Sequence, residues 1–497
     1  MRLRNLAAIV FWLSFWTVCI AALPTIALAQ DDADDADAAD AADAADAADA
    51  ADAADAADAA DGGGGTIGAG DTSGVAIDAN GVLQRMWFPD PTGQLRQRRF
   101  ADALAALDPD VAKPSKLRKV SLTRLEAVIA EQLRTGQQPT DEMRYLAGLT
   151  RLRYVFFYPE TGDIVVAGPA EPWGEDLSGR VIGLGSGKPV LRLDDLIVAL
   201  RTFAPDAKRN AAIYCSIDPT EQGLANMQRF LRQVGGRATP ASTQFIVAGL
   251  RRSLGMQEIT IGGIPADTHF AEVMVEADYR MKLIGIGLER PPVRITSYTE
   301  RSSPTAASRN AMQRWYFVPD YQCVRVSEDG LAMQLVGSGV KLVGEDELVT
   351  QDGSRQKSRL VDRASQLFVK EFTEKYPQLA ARVPVYAQLR DLIDMSVAAA
   401  FIQQQDYYSL ADWRMEVFGD ESAYPVSTST APKQVATAVN SVWKGRRLMT
   451  PVGGGVEIRA RRALDQENVL SDEGQRVETL RQRIDIRQLP QDQWWWD

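Results

Sequence analysis

Histidine occurs once in the 497 residues, at position 269, and cysteine three times, at 19, 215 and 323. A lone histidine leaves no H-E-x-x-H pair, and the chain contains no G-x-S-x-G elbow and no EF-hand loop. Two cysteines beyond the leader are too few for a disulfide scaffold, so the core must come from apolar burial. Long basic runs are missing too. Arg446, Arg447, Arg459, Arg461 and Arg462 are spread over two segments, the second beside Glu457 and Asp465, which argues against a nucleic-acid partner. Beyond residue 26 no apolar run reaches spanning length, and residues 395–402 are apolar but far too short.

Acidic charge is present, but in one place. Residues 31–61 are a near-pure Asp-Ala-Ala repeat with 13 aspartates and no basic residue. The chain carries a net charge of −11; with this tract and the leading Arg2 and Arg4 set aside, residues 62–497 are neutral. A three-residue period advances each aspartate by about 60° around a helix, so the charges spiral and leave no apolar face to pack. The tract reads as a solvated leader ending in Gly62–Gly65. Weak divalent-cation binding is the functional alternative to a repeat whose length hardly matters, and no other cofactor is expected.

Residues 1–29 read as a secretory signal, with a basic MRLRN start, an apolar stretch over 6–26 and Ala27-Leu28-Ala29 before Gln30. An uncleaved anchor is the alternative, but Pro24 and the Ala-x-Ala box favour cleavage. Trp16-Thr17-Val18 before Cys19 is no lipobox. The expected location is periplasm, cell envelope or extracellular space, with no transmembrane anchor after cleavage. Such a compartment permits a Cys215–Cys323 disulfide; two buried thiols are the other outcome.

The body alternates strands and helices, the pattern of a mixed α/β fold: a mixed sheet flanked by helices over 74–300, then a strand-then-helix α+β domain over 309–497. Residues 1–29 and 30–73 precede them as signal and low-complexity leader, and residues 301–308 (RSSPTAAS) read as the linker. Hairpins are expected at 74–83, with Asn80-Gly81 as the turn, at 151–169 around Glu160–Asp163, and around Asp329-Gly330. Helices are expected over 121–136 with Ser121 as cap, 140–149, 221–234, 241–254, 268–286, 358–376 and 385–404. Strands are expected over 211–217, 258–264 and 483–487.

In open α/β sheets ligands gather beyond the carboxyl ends of strands. If strands 211–217 and 258–264 run parallel and adjacent, Cys215, Ser216, Asp218, Asp267 and His269 meet at one edge. A Cys215–His269 pair would be a thiol–imidazole dyad, although Cys215 lies inside its strand rather than beyond it. His269, Glu272, Glu276 and Arg280 form a helical stripe. A His269/Glu272/Glu276 metal site is conceivable, while a Glu276–Arg280 ion pair is the simpler account. Gly183–Lys188 is one residue short of a phosphate loop and is followed by proline, so it reads as a turn. Ser354-Arg355-Gln356-Lys357 matches S-x-x-K at a helix start without its companion motifs. Trp494–Trp496 reads as a terminal strand tucked against its own domain rather than a docking element.

Four segments, YPETGDIVVAGPAEPW, CSIDPTEQGL, VEADYRMKLIGIGLE and YQCVRVSEDGLAMQLVGSGVKLVGEDE, together resemble the exported planctomycete proteins grouped as domain of unknown function 1598, from about residue 74 to the C-terminus. The resemblance implies export and an envelope-rich bacterial setting, and brings no activity, fold or active site. The expectation is a secreted or envelope-associated binding or structural module whose partner is an envelope or extracellular protein or glycan. The alternative is an extracytoplasmic hydrolase with a site near Asp218, Asp267 and His269.

Overall fold

Asp78 sets the first turn. Its carboxylate accepts from the backbone N–H groups of Asn80 and Val82 at 2.8 and 3.0 Å, and Gly81 adopts φ 80°, so strand Thr72–Ile77 folds back on Val82–Phe88. The computed structural model describes residues 72–207, 211–235, 240–302, 311–349, 355–357, 362–440, 443–444, 447–448 and 452–497. The expected signal, almost all of the Asp-Ala leader and Gly linker, most of the 301–308 linker, Ser354 and Arg446 lie outside the described residues. The chain divides into Met1–Thr66 and Ile67–Asp497, and everything described belongs to the second unit.

A sheet of nine strands runs, from edge to edge, Thr72–Ile77, Val82–Phe88, Gln434–Ala436, Met256–Gly262, Ile213–Pro219, Val452–Ile458, Ala311–Pro319, Val340–Val349 and Arg355–Lys357. A sheet of seven runs Leu470–Ser471, Val324–Val326, Ala332–Leu335, Tyr154–Tyr158, Asp163–Ala170, Ser115–Ser121 and Trp495–Trp496. With helices packed on both, the fold is mixed α/β, as the alternating pattern implies.

The two expected domains do not form separate cores. Strand Val452–Ile458 inserts between Ile213–Pro219 and Ala311–Pro319, and Trp495–Trp496 completes the edge beside Ser115–Ser121. Each sheet therefore needs strands from both halves, and one continuous core runs from Leu83 to Trp494.

Three helices meet in the interior: α1 (Leu193–Thr202), α2 (His269–Gly285) and α3 (Pro384–Gln404). α2 lies on the nine-stranded sheet, and all three pack against one another. In α3, 17 of 21 residues are buried, so it is a central rather than an amphipathic surface helix. It also reaches the seven-stranded sheet: Arg151, just ahead of strand Tyr154–Tyr158, ion-pairs with Asp394 of α3 at 3.2 Å.

Local caps behave as side-chain chemistry requires. Ser121, Thr220 and Thr268 each accept from the N–H three residues on, starting Leu122–Arg134, Glu221–Val234 and α2. Two local expectations fail. The 140–149 helix breaks into Asp141–Arg144 and a single 3₁₀ turn, because Leu146 and Ala147 take positive φ. Residues 483–487 are not a strand: helix Arg476–Arg483 precedes them, and Ile484 and Ile486 instead pack into a small satellite core with Phe156 and Val477.

Candidate functional site

Strands Ile213–Pro219 and Met256–Gly262 are adjacent but antiparallel, with Tyr214 opposite Gly262 and Pro219 opposite Gln257. The reason lies between them. Two helices, Glu221–Val234 and Thr243–Leu254, pack on each other through Phe230, Phe245 and the apolar residues Leu224, Ile246 and Leu250. A single crossover helix would return the chain for a parallel strand; a helical hairpin returns it to the end it left. The expected convergence of carboxyl ends is therefore undone. Asp218 sits at one end of the sheet, ion-paired with Arg314 at 2.9 Å, while Asp267 and His269 follow Gly262 at the other.

Cys215 and His269 do not meet. Cys215 is buried mid-sheet between Ile261 and Val456, and burial pushes its thiol pKa far above the usual range, with Asp278 adding to the rise. Asp278 lies nine residues beyond His269 on α2, about 13 Å along the axis. Cys215 and Cys323 are both free thiols.

His269 is instead the point where α1, α2 and α3 join. Thr268 caps α2 through Ala271 N–H at 3.3 Å and forms a bridge with Thr428, fixing where the first helical residue points. The imidazole Nδ1 lies 2.8 Å from Oδ2 of Asp195, in the first turn of α1. A carboxylate oxygen accepts, so Nδ1 carries a proton, and the facing Gln388 amide nitrogen, a donor, assigns the lone pair to Nε2. Facing that lone pair, at 3.3 Å, is the side-chain NH₂ of Gln388 on α3. The Gln388 carbonyl accepts from Arg180 Nε at 3.0 Å, so its amide is oriented from both ends.

The chain of contacts continues inward. Arg180 pairs with Glu276 and donates to the Ser73 carbonyl at 3.0 Å. Glu276 also faces Arg280 at 3.4 Å, and Arg280 places two N–H groups on one oxygen of Glu289 at 2.7 and 3.0 Å. Burial works against the Arg280 charge, but Glu289 and Glu276 outweigh it and raise its pKa. Glu272, one turn along from His269, is pushed up by burial and drawn back by His269.

Of the residues singled out from sequence, the structure therefore brings together His269, Glu272 and Glu276 on one side of α2, and leaves Cys215 and Asp218 apart from them. Glu276 is committed to two guanidinium groups, and among the described residues no group of three or more His, Cys, Asp or Glu is placed to hold a metal. Glu276–Arg280 is an ion pair as expected, but buried rather than on a solvated edge. The Asp267 backbone carbonyl accepts from Ser429 N–H at 2.7 Å.

Sequence reasoning missed Asp195, Gln388 and Arg180. The signal for the first two was a polar residue inside an otherwise apolar helix, LDDLIVAL and PVYAQLRDLIDMSVAAAFI, where burial demands a partner. Next to the joint, a cavity of about 160 Å³ is lined in part by Arg144, Tyr145, Arg192, Asp194 and Tyr424. It is connected electrostatically to α2, since the Arg192 charge acts on Glu272.

The remaining motifs resolve into internal contacts. The glycine-rich loop at 183–188 holds a carboxylate of its own chain: Glu171 accepts from the N–H groups of Gly185 and Ser186 at 3.0 and 2.9 Å. Lys357 of the S-x-x-K match stands in strand Arg355–Lys357, not at a helix start. Arg459 pairs with Glu457, and Arg462 lies over the Tyr321 ring at 4.5 Å. The tryptophan tail is a strand on its own sheet, Trp495 opposite Val120 and Trp496 opposite Lys119.

Residues 215–298 match the family described as protein of unknown function, DUF1598. That segment includes CSIDPTEQGL, VEADYRMKLIGIGLE and His269, and so the strand pair, the helical hairpin and α2. Comparison with curated proteins and with solved structures found no match.

Proposed function

We propose that this chain is an exported binding module of the cell envelope, and that its polar centre is a structural joint rather than a catalytic one. The observation that carries the reading is the Asp195–His269–Gln388 linkage. Both ring nitrogens of the only imidazole are engaged in holding three helices together, and its outer partner is an amide, which is not a nucleophile. The leader-like residues 1–29, the solvated acidic tract and the resemblance to exported planctomycete proteins support an envelope setting. No helix among the described residues is long and apolar enough to cross a membrane. The partner we propose is an envelope or extracellular protein or glycan.

A second reading, an exported hydrolase whose site keeps Asp267 and His269 but not the distant Asp218, draws its support from the Asp195–His269 pair: a carboxylate orienting an imidazole is how a general base is prepared. Incubating the purified chain with cell-envelope material separates the two. The expected result is reversible retention without release of soluble fragments. Fragment release that His269→Asn abolishes would overturn the binding reading in favour of the hydrolase.

A further inference from the structure

We infer that the cavity between Arg144 and Arg192 binds a small oxyanion, a carboxylate or phosphate molecule. This goes beyond the binding-module reading and does not depend on it.

Arg192 is the residue just before α1. It is half-buried, and its guanidinium makes no hydrogen bond or ion pair with any other described residue. A guanidinium that faces a cavity without a protein acceptor offers its planar set of N–H donors to a ligand. Arg144 stands on the same cavity. Its only ion pair among the described residues is a stretched 4.0 Å contact with Asp141, and half of its side chain remains accessible.

Asp194 is the one acid in the lining, and both of its oxygens are already used. Oδ1 accepts from the Tyr424 hydroxyl at 3.2 Å, and Oδ2 from the Ser427 N–H at 3.1 Å. The lining therefore holds two guanidinium groups and one carboxylate whose oxygens are already engaged, so the donors facing the hollow outnumber its acceptors. A planar fork is the geometry that grips carboxylate and phosphate oxygens. Leu133, Pro139 and Pro425 supply apolar wall beside the cations, which suits a ligand with a short carbon body as well as an acid end. A volume near 160 Å³ corresponds to about five waters at liquid density, enough for acetate or inorganic phosphate and too small for a polymer segment.

The test is calorimetric and thermal-shift titration of the full chain with sodium acetate and with inorganic phosphate, at constant ionic strength set by chloride. Saturable binding is expected from at least one of the two, and whichever binds tighter identifies the acid class. Arg192→Gln should weaken it about tenfold or more, the loss of a charge-assisted fork. Arg144→Gln, at an accessible position whose only ion pair among the described residues is the 4.0 Å contact with Asp141, should weaken it severalfold. Arg134→Gln, which removes an exposed pair with Glu131 outside the cavity, should bind as the parent does. No saturable response to either anion, or unaltered binding in both Arg192→Gln and Arg144→Gln, would overturn the site. If envelope retention persists in that case, the binding-module reading stands without the site. Intact anion binding with no envelope retention would instead keep the site and remove the envelope reading.

Discussion

Asp195 and His269 are 74 residues apart in sequence and 2.8 Å apart in space. Each comes from the first turn of a different helix, and the hydrogen bond between them exists only because α1 and α2 both pack on α3. Gln388 of α3 then closes the third side.

Breaking this joint should cost stability. His269→Ala leaves the buried Asp195 carboxylate without its donor and Gln388 without an acceptor, a loss of about 2–3 kcal/mol. Asp195→Asn keeps an acceptor toward Nδ1 and should cost less. Urea denaturation of the two variants against the parent measures both, and an Asp195→Asn loss exceeding that of His269→Ala would contradict the proposed geometry.

Lys282 ties the centre of the large sheet. Its ammonium, buried on α2, donates to Asp278 at 2.8 Å and to the carbonyls of Ile217 and Gly454, on neighbouring strands, at 2.8 and 3.1 Å. Lys282→Met strands a carboxylate in the core and should destabilise by about 3–5 kcal/mol. The double variant Lys282→Met with Asp278→Leu should recover most of that loss in a double-mutant cycle, because no buried charge is then left unpaired.

Stability should fall as pH rises from about 4 to about 6 through two buried carboxyls, Asp278 and Asp391, both pushed up to about 6 by burial. Burial pushes the Asp391 carboxyl on α3 up to about 6, with Arg390 opposing and Asp394 reinforcing the shift. A folded-state pKa above the unfolded one means the contribution is full below the unfolded value and is lost on passing the folded value, here roughly 3 kcal/mol at most. Equilibrium unfolding at intervals between pH 4 and 8 reads the slope. Asp391→Asn should reduce it over the interval from 4 to 6 and leave the part due to Asp278, whatever its effect on absolute stability.

The tryptophan tail should matter for the same reason as the buried ion pairs. Arg118 is fully buried and forks onto Asp497 with two 2.8 Å hydrogen bonds, also donating to the carbonyls of Val111, Lys113 and Ala147 and lying 4.7 Å from the Trp495 ring. Removing residues 494–497 takes away this carboxylate and the edge strand together, a cost of about 3 kcal/mol. Asp497→Asn retains one acceptor and should cost about 1 kcal/mol. Limited proteolysis should then cut near residues 111–121 in the truncated chain before it does in the parent.

Much of the local structure was legible because local chemistry decides it. Ser121, Thr220 and Thr268 cap helices through contacts three residues long, and Asp329-Gly330 and Asn80-Gly81 turn the chain for reasons internal to a few residues. The site was not legible in that way. Cys215 and His269 were linked on the premise of parallel strands, and strand direction is decided by whether one helix or two intervene and how those helices pack. Leu146 and Ala147 broke an expected helix by adopting a backbone conformation that apolar side chains disfavour, held there by complete burial. A two-domain reading followed the change of texture near residue 300, whereas strand pairing at 452–458 and 495–496 ignores sequence order.

Composition and repeat period alone establish that negative charge is concentrated in a tract unable to pack, that the remainder is neutral, and that apolar burial rather than disulfides must hold it. These properties are independent of how the chain is threaded. That the single histidine faces Asp195 and Gln388 instead of Cys215, and that Arg192 stands beside a cavity with no side-chain hydrogen bond or ion pair to another described residue, came from tertiary packing. Both outcomes depend on bringing together residues from distant stretches of chain, and helix packing and strand order, not any local pattern, set which ones meet.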